Sequence, residues 1–204
     1  MVDSTVFVID DDEAVRDALC ELFASENIPV RAFASAEEFL ASDAVGSPGC
    51  LILDLMMPGM SGVDLQAELV RRGSTIPIII MTGQGDVPKA VTTLKAGAFD
   101  FIEKPFDPTA LLKVVNQALN REGRLRRRYA EREAVESRLA LLSPRERQVM
   151  DLVVAGHSNK VIGTKLGISV RTVENHRAKL MDKMRCNNVS SLITTILQIK
   201  SPAA

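Results

Sequence analysis

A run of apolar residues that ends in a single carboxylate places the strongest constraint on how this chain folds. Residues 50–53 read Cys-Leu-Ile-Leu, Asp54 follows them, and a loop rich in proline and glycine comes next. The run lacks polar alternation, which is typical of a strand buried on both faces of a parallel sheet. Parallel sheets bind ligands outside the carboxyl ends of their strands, so Asp54 stands where a ligand would bind. An acid at this position could equally cap the following helix.

Four further strand candidates alternate with amphipathic helices over residues 1–120. They are residues 5–9, 29–33, 77–82 and 99–102. Capping patterns open several of the intervening helices, as in the Ser-Ala-Glu-Glu stretch that follows the second strand candidate. Five strand–helix pairs predict a doubly wound α/β domain with a parallel sheet.

Polar side chains follow the predicted strands where each one ends. Asp10 and Asp11 follow the first strand, Thr82 ends the fourth and Lys104 follows the fifth. The carboxyl ends of parallel strands share one edge, so we expect these side chains to converge near Asp54. Close carboxylates need a cation, and oxygen ligands favour Mg²⁺. The set suits transfer of a phosphoryl group onto Asp54. Taken singly, each residue could be an ordinary solvated or strand-end residue.

The second part of the chain is basic although the net charge is only −1. Residues 1–120 carry a balance of −10 and residues 121–204 a balance of +9. A basic region of this kind suggests a polyanionic partner. Residues 121–140 hold seven arginines, four glutamates and no proline, which predicts a charged helical linker. We favour the interpretation that this helix is a solvated connector. A contribution to a dimer and direct DNA contact by residues 126–128 are the alternatives.

Residues 141–204 predict a helix-turn-helix and a closing helix. Ser143 and Glu146 form a capping box, and Ser169 caps a helix that ends near Met184. Apolar residues share one face of that last helix, and polar and basic residues occupy the other. Such a face suits a recognition helix in the major groove of DNA. A small bundle that serves protein contacts would also fit the spacing.

Several features bear on where the protein works. No apolar run reaches the length of about 18 residues that a membrane span requires. The first residues lack the basic start of a signal peptide. The three cysteines have no CxxC spacing. We therefore expect a cytoplasmic protein that makes no membrane contact.

Residues 3–120 resemble the receiver domain of two-component response regulators. The matching stretches are Val8-Ile9-Asp10-Asp11, Asp54 with Met57-Pro58-Gly59 and Gly62, Met81-Thr82, and residues 99–106 (Phe-Asp-Phe-Ile-Glu-Lys-Pro-Phe). The resemblance implies a flavodoxin-like (βα)5 domain in which Asp54 accepts a phosphoryl group from a histidine kinase. No catalysis is implied beyond the domain's own phosphorylation and dephosphorylation.

The same resemblance assigns roles to the polar residues at the strand ends. Mg²⁺ would be held by Asp10, Asp11, Asp54 and the backbone carbonyl of Met56. Thr82 and Lys104 would bind the phosphoryl oxygens. Phosphorylation would pull Thr82 toward the phosphoryl oxygens and let Phe101 turn inward into the space it leaves. Phe101 could instead be a permanently buried core aromatic.

Residues 141–200 look like the LuxR-type DNA-binding domain. The matching stretches are residues 142–147 (Leu-Ser-Pro-Arg-Glu-Arg), 156–160 (Gly-His-Ser-Asn-Lys) and 168–176 (Ile-Ser-Val-Arg-Thr-Val-Glu-Asn-His). By this resemblance the residues nearest base edges are Glu174, Asn175 and Ala178. The other candidate DNA contacts are Lys160, Arg171, Thr172, Arg177 and Lys179.

The whole chain resembles the FixJ/NarL class of response regulators, nearest its FixJ branch. In this class a receiver domain (here 1–120) is joined by a linker (121–140) to an all-α, four-helix LuxR-type domain (141–204). The class implies a regulator that dimerises on phosphorylation and binds promoter DNA, with RNA polymerase as a further candidate partner. Alternatively, phosphorylation only relieves masking of the DNA-binding domain by the receiver. A Mg²⁺-dependent phosphatase-like enzyme and a protein-interaction adaptor are further alternatives.

Overall fold

The structure, a computed structural model, describes residues 4–83 and 87–200, without the side chains of residues 87–90 and 198–200. Residues 84–86, where the sequence predicts a loop and the start of a helix, lie outside the described residues. The chain forms two compact units that divide between Arg126 and Arg127. The division falls within a long helix.

The first unit alternates strands and helices in the predicted order. Its elements are β1 (Thr5–Ile9), α1 (Glu13–Ser25), β2 (Val30–Phe33), α2 (Ala36–Ala41), β3 (Gly49–Asp54), α3 (Gly62–Arg71), β4 (Ile78–Thr82), α4 (Val87–Lys95), β5 (Asp100–Glu103) and α5 (Pro108–Ala140).

The strands of the first unit form one parallel sheet in the order β2-β1-β3-β4-β5. β3 lies at the centre and is buried along its whole length, which agrees with its unbroken apolar sequence. β2 begins one residue later than predicted. Pro29 has no N–H to donate, although its carbonyl accepts the amide of Val6 at 2.8 Å. The parallel sheet and its strand order confirm the predicted doubly wound fold.

The two faces of the sheet carry separate apolar cores. On β3, Leu51 and Leu53 belong to the core that includes residues of α2 and α3. Cys50 and Ile52 belong to the other core, together with residues of α1 and α5. Successive strand residues point to opposite faces, so both faces of β3 need apolar side chains. This packing on both faces fixes the register of β3 in the sheet and so places Asp54 at the edge formed by the carboxyl ends of the strands.

The second unit is helical. After the final turns of α5 it comprises α6 (Pro144–Val154), α7 (Asn159–Leu166), α8 (Val170–Met184) and α9 (Val189–Lys200). Ser143, Ser158 and Ser169 each cap the following helix by accepting a backbone N–H. The LuxR-type helical architecture is confirmed. No helix in the described part of the chain has the length and apolar character to cross a membrane.

Candidate functional site

The ammonium of Lys104 joins two carboxylates at the carboxyl edge of the sheet. Its Nζ donates to Asp10 Oδ2 at 2.7 Å and to Asp54 Oδ1 at 2.6 Å. Asp10 follows β1, Asp54 ends β3 and Lys104 follows β5. The sheet order therefore brings together residues that are 94 and 50 positions apart in the chain. The Lys104–Pro105 peptide bond is cis.

The backbone engages the second oxygen of each carboxylate. The amide of Asp12 donates to Asp10 Oδ1 at 2.9 Å, and the amide of Met56 donates to Asp54 Oδ2 at 2.8 Å. Both acids are buried, with Asp10 only 1% exposed and Asp54 7%. Buried charges are tolerated only when they are paired and hydrogen-bonded, which Lys104 and these amides achieve.

The negative charge of Asp54 is only partly stabilised by the groups around it. Burial raises the pKa of the Asp54 carboxyl and the neighbouring Asp10 adds to the effect, while bonds from Lys104 and Met56 lower it only in part. Burial alone would lower the pKa of Lys104, but the two carboxylates outweigh it, and the net direction is upward. Lys104 is therefore cationic at neutral pH, between two acids of which one is incompletely stabilised.

The remaining predicted receiver residues lie around this ion-paired core. Asp11 is exposed and is not a partner of Lys104. Thr82 is fully buried, and its hydroxyl donates a long 3.4 Å bond to the carbonyl of Gly83. Phe101 is half-buried against the core formed with α2 and α3. The side chain of Met56 is 57% exposed, beside the acidic edge.

The chemistry of the predicted donor set fits a hard divalent cation. In the described part of the chain, no three acidic, histidine or cysteine side chains stand close enough together to hold a metal ion. Asp10, Asp11, Asp54 and the carbonyl of Met56 offer only oxygen, which Mg²⁺ prefers. Lys104 and Arg16 supply two positive charges against the three carboxylates of Asp10, Asp11 and Asp54, so this edge keeps a negative excess that a divalent ion would neutralise.

Two charged residues that sequence reasoning missed hold the loops beside these acids. Arg16 Nη1 donates to the carbonyls of Asp10 and Asp11 at 2.8 and 3.0 Å. Glu37 Oε1 accepts the amide of Met60 at 2.9 Å, in the loop after Asp54. Arg16 and Glu37 lie on helices, where a charged residue usually reads as solvated. No local pattern in the sequence could have identified these contacts.

In the second unit, α8 presents a polar face above a buried one. Val173, Leu180 and Met184 are fully buried. The exposed candidates are Lys160 on α7 and Arg171, Glu174, Asn175, Ala178 and Lys179 on α8. Thr172 is half-buried, and its hydroxyl pairs with that of Ser169 at 2.8 Å. These positions give the helix a face that could enter a DNA groove.

The end of α8 is tied to α6 by an ion pair. Lys183 Nζ lies 2.7 Å from Glu146 Oε2, and the same carboxylate accepts the amide of Ser143 at 2.9 Å. The bond from Lys183, followed by that from Ser143, lowers the pKa of Glu146 to about 2. Glu146 therefore closes the capping box of α6 and holds α8 at the same time.

Two family models match the chain. The response regulator receiver domain matches residues 6–116, and the family of bacterial regulatory proteins of the luxR type matches residues 140–196. Together they leave residues 1–5, residues 117–139 within α5 and residues 197–204 unmatched.

Similar proteins match over nearly the whole chain. The transcriptional regulatory protein FixJ of Azorhizobium caulinodans is 45% identical over 94% of this chain and 91% of its own. The C4-dicarboxylate transport transcriptional regulatory protein DctR of Rhodobacter capsulatus is 47% identical over 92% and 96%. The solved structure of the response regulator StyR is 38% identical, with a TM-score of 0.91 over 97% of this chain and 100% of that one.

Proposed function

Because this chain belongs to the two-component response regulators that join a receiver domain to a LuxR-type DNA-binding domain, we propose that phosphorylation of Asp54 controls its binding to promoter DNA. Its relatives are transcriptional regulators, and the two domains imply a histidine kinase and DNA as partners. The observation that carries the proposal is the Lys104 ammonium held between Asp10 and Asp54. We take the receiver domain as residues 1–120, the linker as 121–140 and the DNA-binding domain as 141–204.

The reaction is a transfer from a phosphohistidine of the kinase to a carboxylate oxygen of Asp54. The phosphorus–nitrogen bond breaks, a phosphorus–oxygen bond forms, and the histidine leaves with its electron pair and takes up a proton. The carboxylate of Asp54 lies at the carboxyl edge of the sheet and is held in place by the amide of Met56. Lys104, which now contacts Asp54 at 2.6 Å, is the cation that can move to a phosphoryl oxygen.

Asp10, Asp11, Asp54 and the carbonyl of Met56 are the residues that would hold Mg²⁺. When bound, the ion would supply neutralisation of the charge on the transferring group. The protein's own part is to hold the acidic loop by Arg16 and the loop after Asp54 by Glu37. The chain takes part only in its own phosphorylation and dephosphorylation and is not otherwise an enzyme.

The switch runs through Thr82 and Phe101. A phosphoryl group adds about −1.5 to −2 charges and three acceptor oxygens. The hydroxyl of Thr82 makes a long 3.4 Å bond to the carbonyl of Gly83, so a phosphoryl oxygen is a better acceptor for it. Its movement leaves room for Phe101, which is half-buried, to turn inward. The changed surface then forms a homodimer, and two DNA-binding domains engage paired half-sites.

On DNA, Glu174, Asn175 and Ala178 face the bases. Asn175 is suited to adenine and Glu174 to cytosine. The exposed Lys160, Arg171 and Lys179 bind phosphates, with Thr172 beside them. The chain acts in the cytoplasm, where it meets the kinase and the promoter, and RNA polymerase is a further partner.

Sedimentation velocity tests the switch. The wild-type chain and Asp54→Ala are run with and without Mg²⁺ plus beryllofluoride, which mimics the acyl phosphate. We expect a monomer that becomes a dimer only when Mg²⁺, the mimic and Asp54 are all present. An unchanged mass with tighter DNA binding would instead support simple release of the DNA-binding domain from the receiver.

A further inference from the structure

Arg177 is held by a hydrogen bond between the two helices of the helix-turn-helix. Its Nη1 donates to Asn159 Oδ1 at 2.5 Å. Asn159 is the first residue of α7, and Arg177 lies at the middle of α8. Both side chains are half-buried, whereas Glu174, Asn175 and Ala178 beside Arg177 are exposed. The guanidinium is thus directed back into its own domain.

This bond restricts the angle between α7 and α8, which apolar contacts alone do not fix. Val173, Leu180 and Met184 seat α8 on the core, but an apolar stripe tolerates small rotations and tilts of a helix. At the turn, α7 already approaches closely, since a Cβ on Gly163 would lie 2.8 Å from the carbonyl oxygen of Ile168. A directional bond away from the turn fixes the remaining degree of freedom, the angle between α7 and α8.

We propose that Arg177 is a positioning residue that sets the angle of α8 through Asn159, rather than a phosphate contact. This inference rests on the proposed DNA-reading face of α8. In a helix-turn-helix the first helix crosses the DNA backbone while the second enters the groove, so their mutual angle decides whether both engage together. Losing the bond therefore weakens recognition without removing a charge that touches DNA.

Salt dependence separates the two roles. Each phosphate contact contributes about 0.9 to the slope of log affinity against log salt concentration, whereas a positioning residue contributes nothing. Binding is measured by fluorescence anisotropy with the full-length chain in Mg²⁺ and beryllofluoride and a labelled duplex that the wild-type chain selects from a random-sequence pool under the same conditions. The variants are Arg177→Ala, Asn159→Ala and the double variant. Lys179→Ala, which removes an exposed lysine of the same helix, is the matched control.

We expect Arg177→Ala and Asn159→Ala each to weaken binding about tenfold, as for loss of a hydrogen bond to a charged group. The double variant should bind within about twofold of Arg177→Ala, because the two residues act through one bond. The salt slope should stay at the wild-type value in all three and decrease in magnitude by about 0.9 for each bound DNA-binding domain only in Lys179→Ala. Circular dichroism checks that each variant is folded.

Three results would overturn the proposal. One is a reduced salt slope in Arg177→Ala, which would assign its guanidinium to a phosphate. Another is wild-type affinity in Asn159→Ala, and the third is additive losses in the double variant. Failure of the proposed function has a different signature, since the wild-type chain would then select no duplex from the pool.

Discussion

The Lys104 ammonium lies 2.6 Å from Asp54 Oδ1, so the proposed phosphoryl acceptor begins with one oxygen bonded to a cation. The same ammonium lies 2.7 Å from Asp10. One positive charge is thus shared by two buried carboxylates. The two carboxylates therefore keep a net negative charge, which favours binding of a further cation at the site.

Replacing Asp54 by asparagine should stabilise the first unit. Burial raises the pKa of Asp54, so the ionised form is less stable in the folded than in the unfolded chain. Asp54→Asn removes this cost and leaves Lys104 paired with Asp10. We expect the free energy of unfolding to rise by about 1 kcal/mol at neutral pH. Calorimetric melting of the wild-type chain and the variant provides the measurement.

The pH dependence gives the sign of this effect. A raised pKa means that the folded state binds a proton more tightly, so wild-type stability falls as the pH rises above the ordinary value of 3.8. The advantage of Asp54→Asn should therefore be absent at lower pH and grow with rising pH. Asp43→Asn is the control, because the bond from Arg31 lowers the pKa of that exposed acid. An Asp54→Asn variant less stable than the wild type at neutral pH would contradict this account.

Removing Lys104 should have the opposite effect. Lys104→Met leaves the carboxylates of Asp10 and Asp54 buried without their shared cation. We expect a loss of about 3 kcal/mol in the free energy of unfolding, because a buried pair that loses one partner leaves uncompensated charge. Lys113→Met on the exposed face of α5 should change the melting temperature little. Equal effects of the two substitutions would show that Lys104 does not compensate the acids.

Much of the fold could be predicted because its signals are local. The apolar run before Asp54 indicated a central strand, and β3 is buried throughout. Likewise Ser143 and Glu146 predicted a capping box, which forms with both bonds. These features depend on neighbours within a few residues, so sequence order alone reveals them.

The contacts that sequence reasoning missed join polar residues far apart in the chain. Glu37 bonds the amide of Met60, which is 23 residues away, and Arg177 bonds Asn159 across 18 residues. The side chains of Glu37, Asn159 and Arg177 lie on helices, where a polar side chain has no periodic signal that distinguishes a solvated group from a bonded one. Their partners depend on how the helices pack, which only the structure supplies.

Two glycines should respond in opposite ways to alanine. At Gly62 an added Cβ would lie 2.3 Å from the carbonyl oxygen of Asp54, so Gly62→Ala must shift the backbone of the acceptor residue. We expect a loss of about 2 kcal/mol in unfolding free energy and slower labelling by a small-molecule phosphodonor. Apart from the adjacent residues and backbone of α5 itself, no heavy atom in the described part of the chain lies within 4 Å of such a Cβ at Gly123. Gly123→Ala should therefore stabilise the helix by about 0.5–1 kcal/mol and leave labelling unchanged.

Acid should release α8 from α6 in the second unit. The bonds from Lys183 and Ser143 hold the pKa of Glu146 at about 2, below its ordinary value of 4.5. A lowered pKa gives stability that is present above pH 4.5 and lost as the pH falls towards 2. Glu146→Gln keeps an acceptor for Ser143 but loses the charge that faces Lys183. We expect a loss of about 2 kcal/mol at neutral pH, which disappears in acid.

Hydrogen exchange of the α8 amides, followed by mass spectrometry across the acid range, can localise this effect. Protection in the wild-type chain should fall towards that of Glu146→Gln as the pH is lowered, after correction for the intrinsic exchange rate. Glu136→Gln is the matched control, because Glu136 pairs with Arg132 at 2.8 Å on an exposed surface of the same unit. Exposed pairs contribute little, so this variant should follow the wild-type curve. If the difference in protection between Glu146→Gln and the wild type stayed constant down to pH 2, protonation of Glu146 would have no effect on α8. The glutamine side chain would then destabilise the packing of α8 on α6 for a reason other than its lost charge.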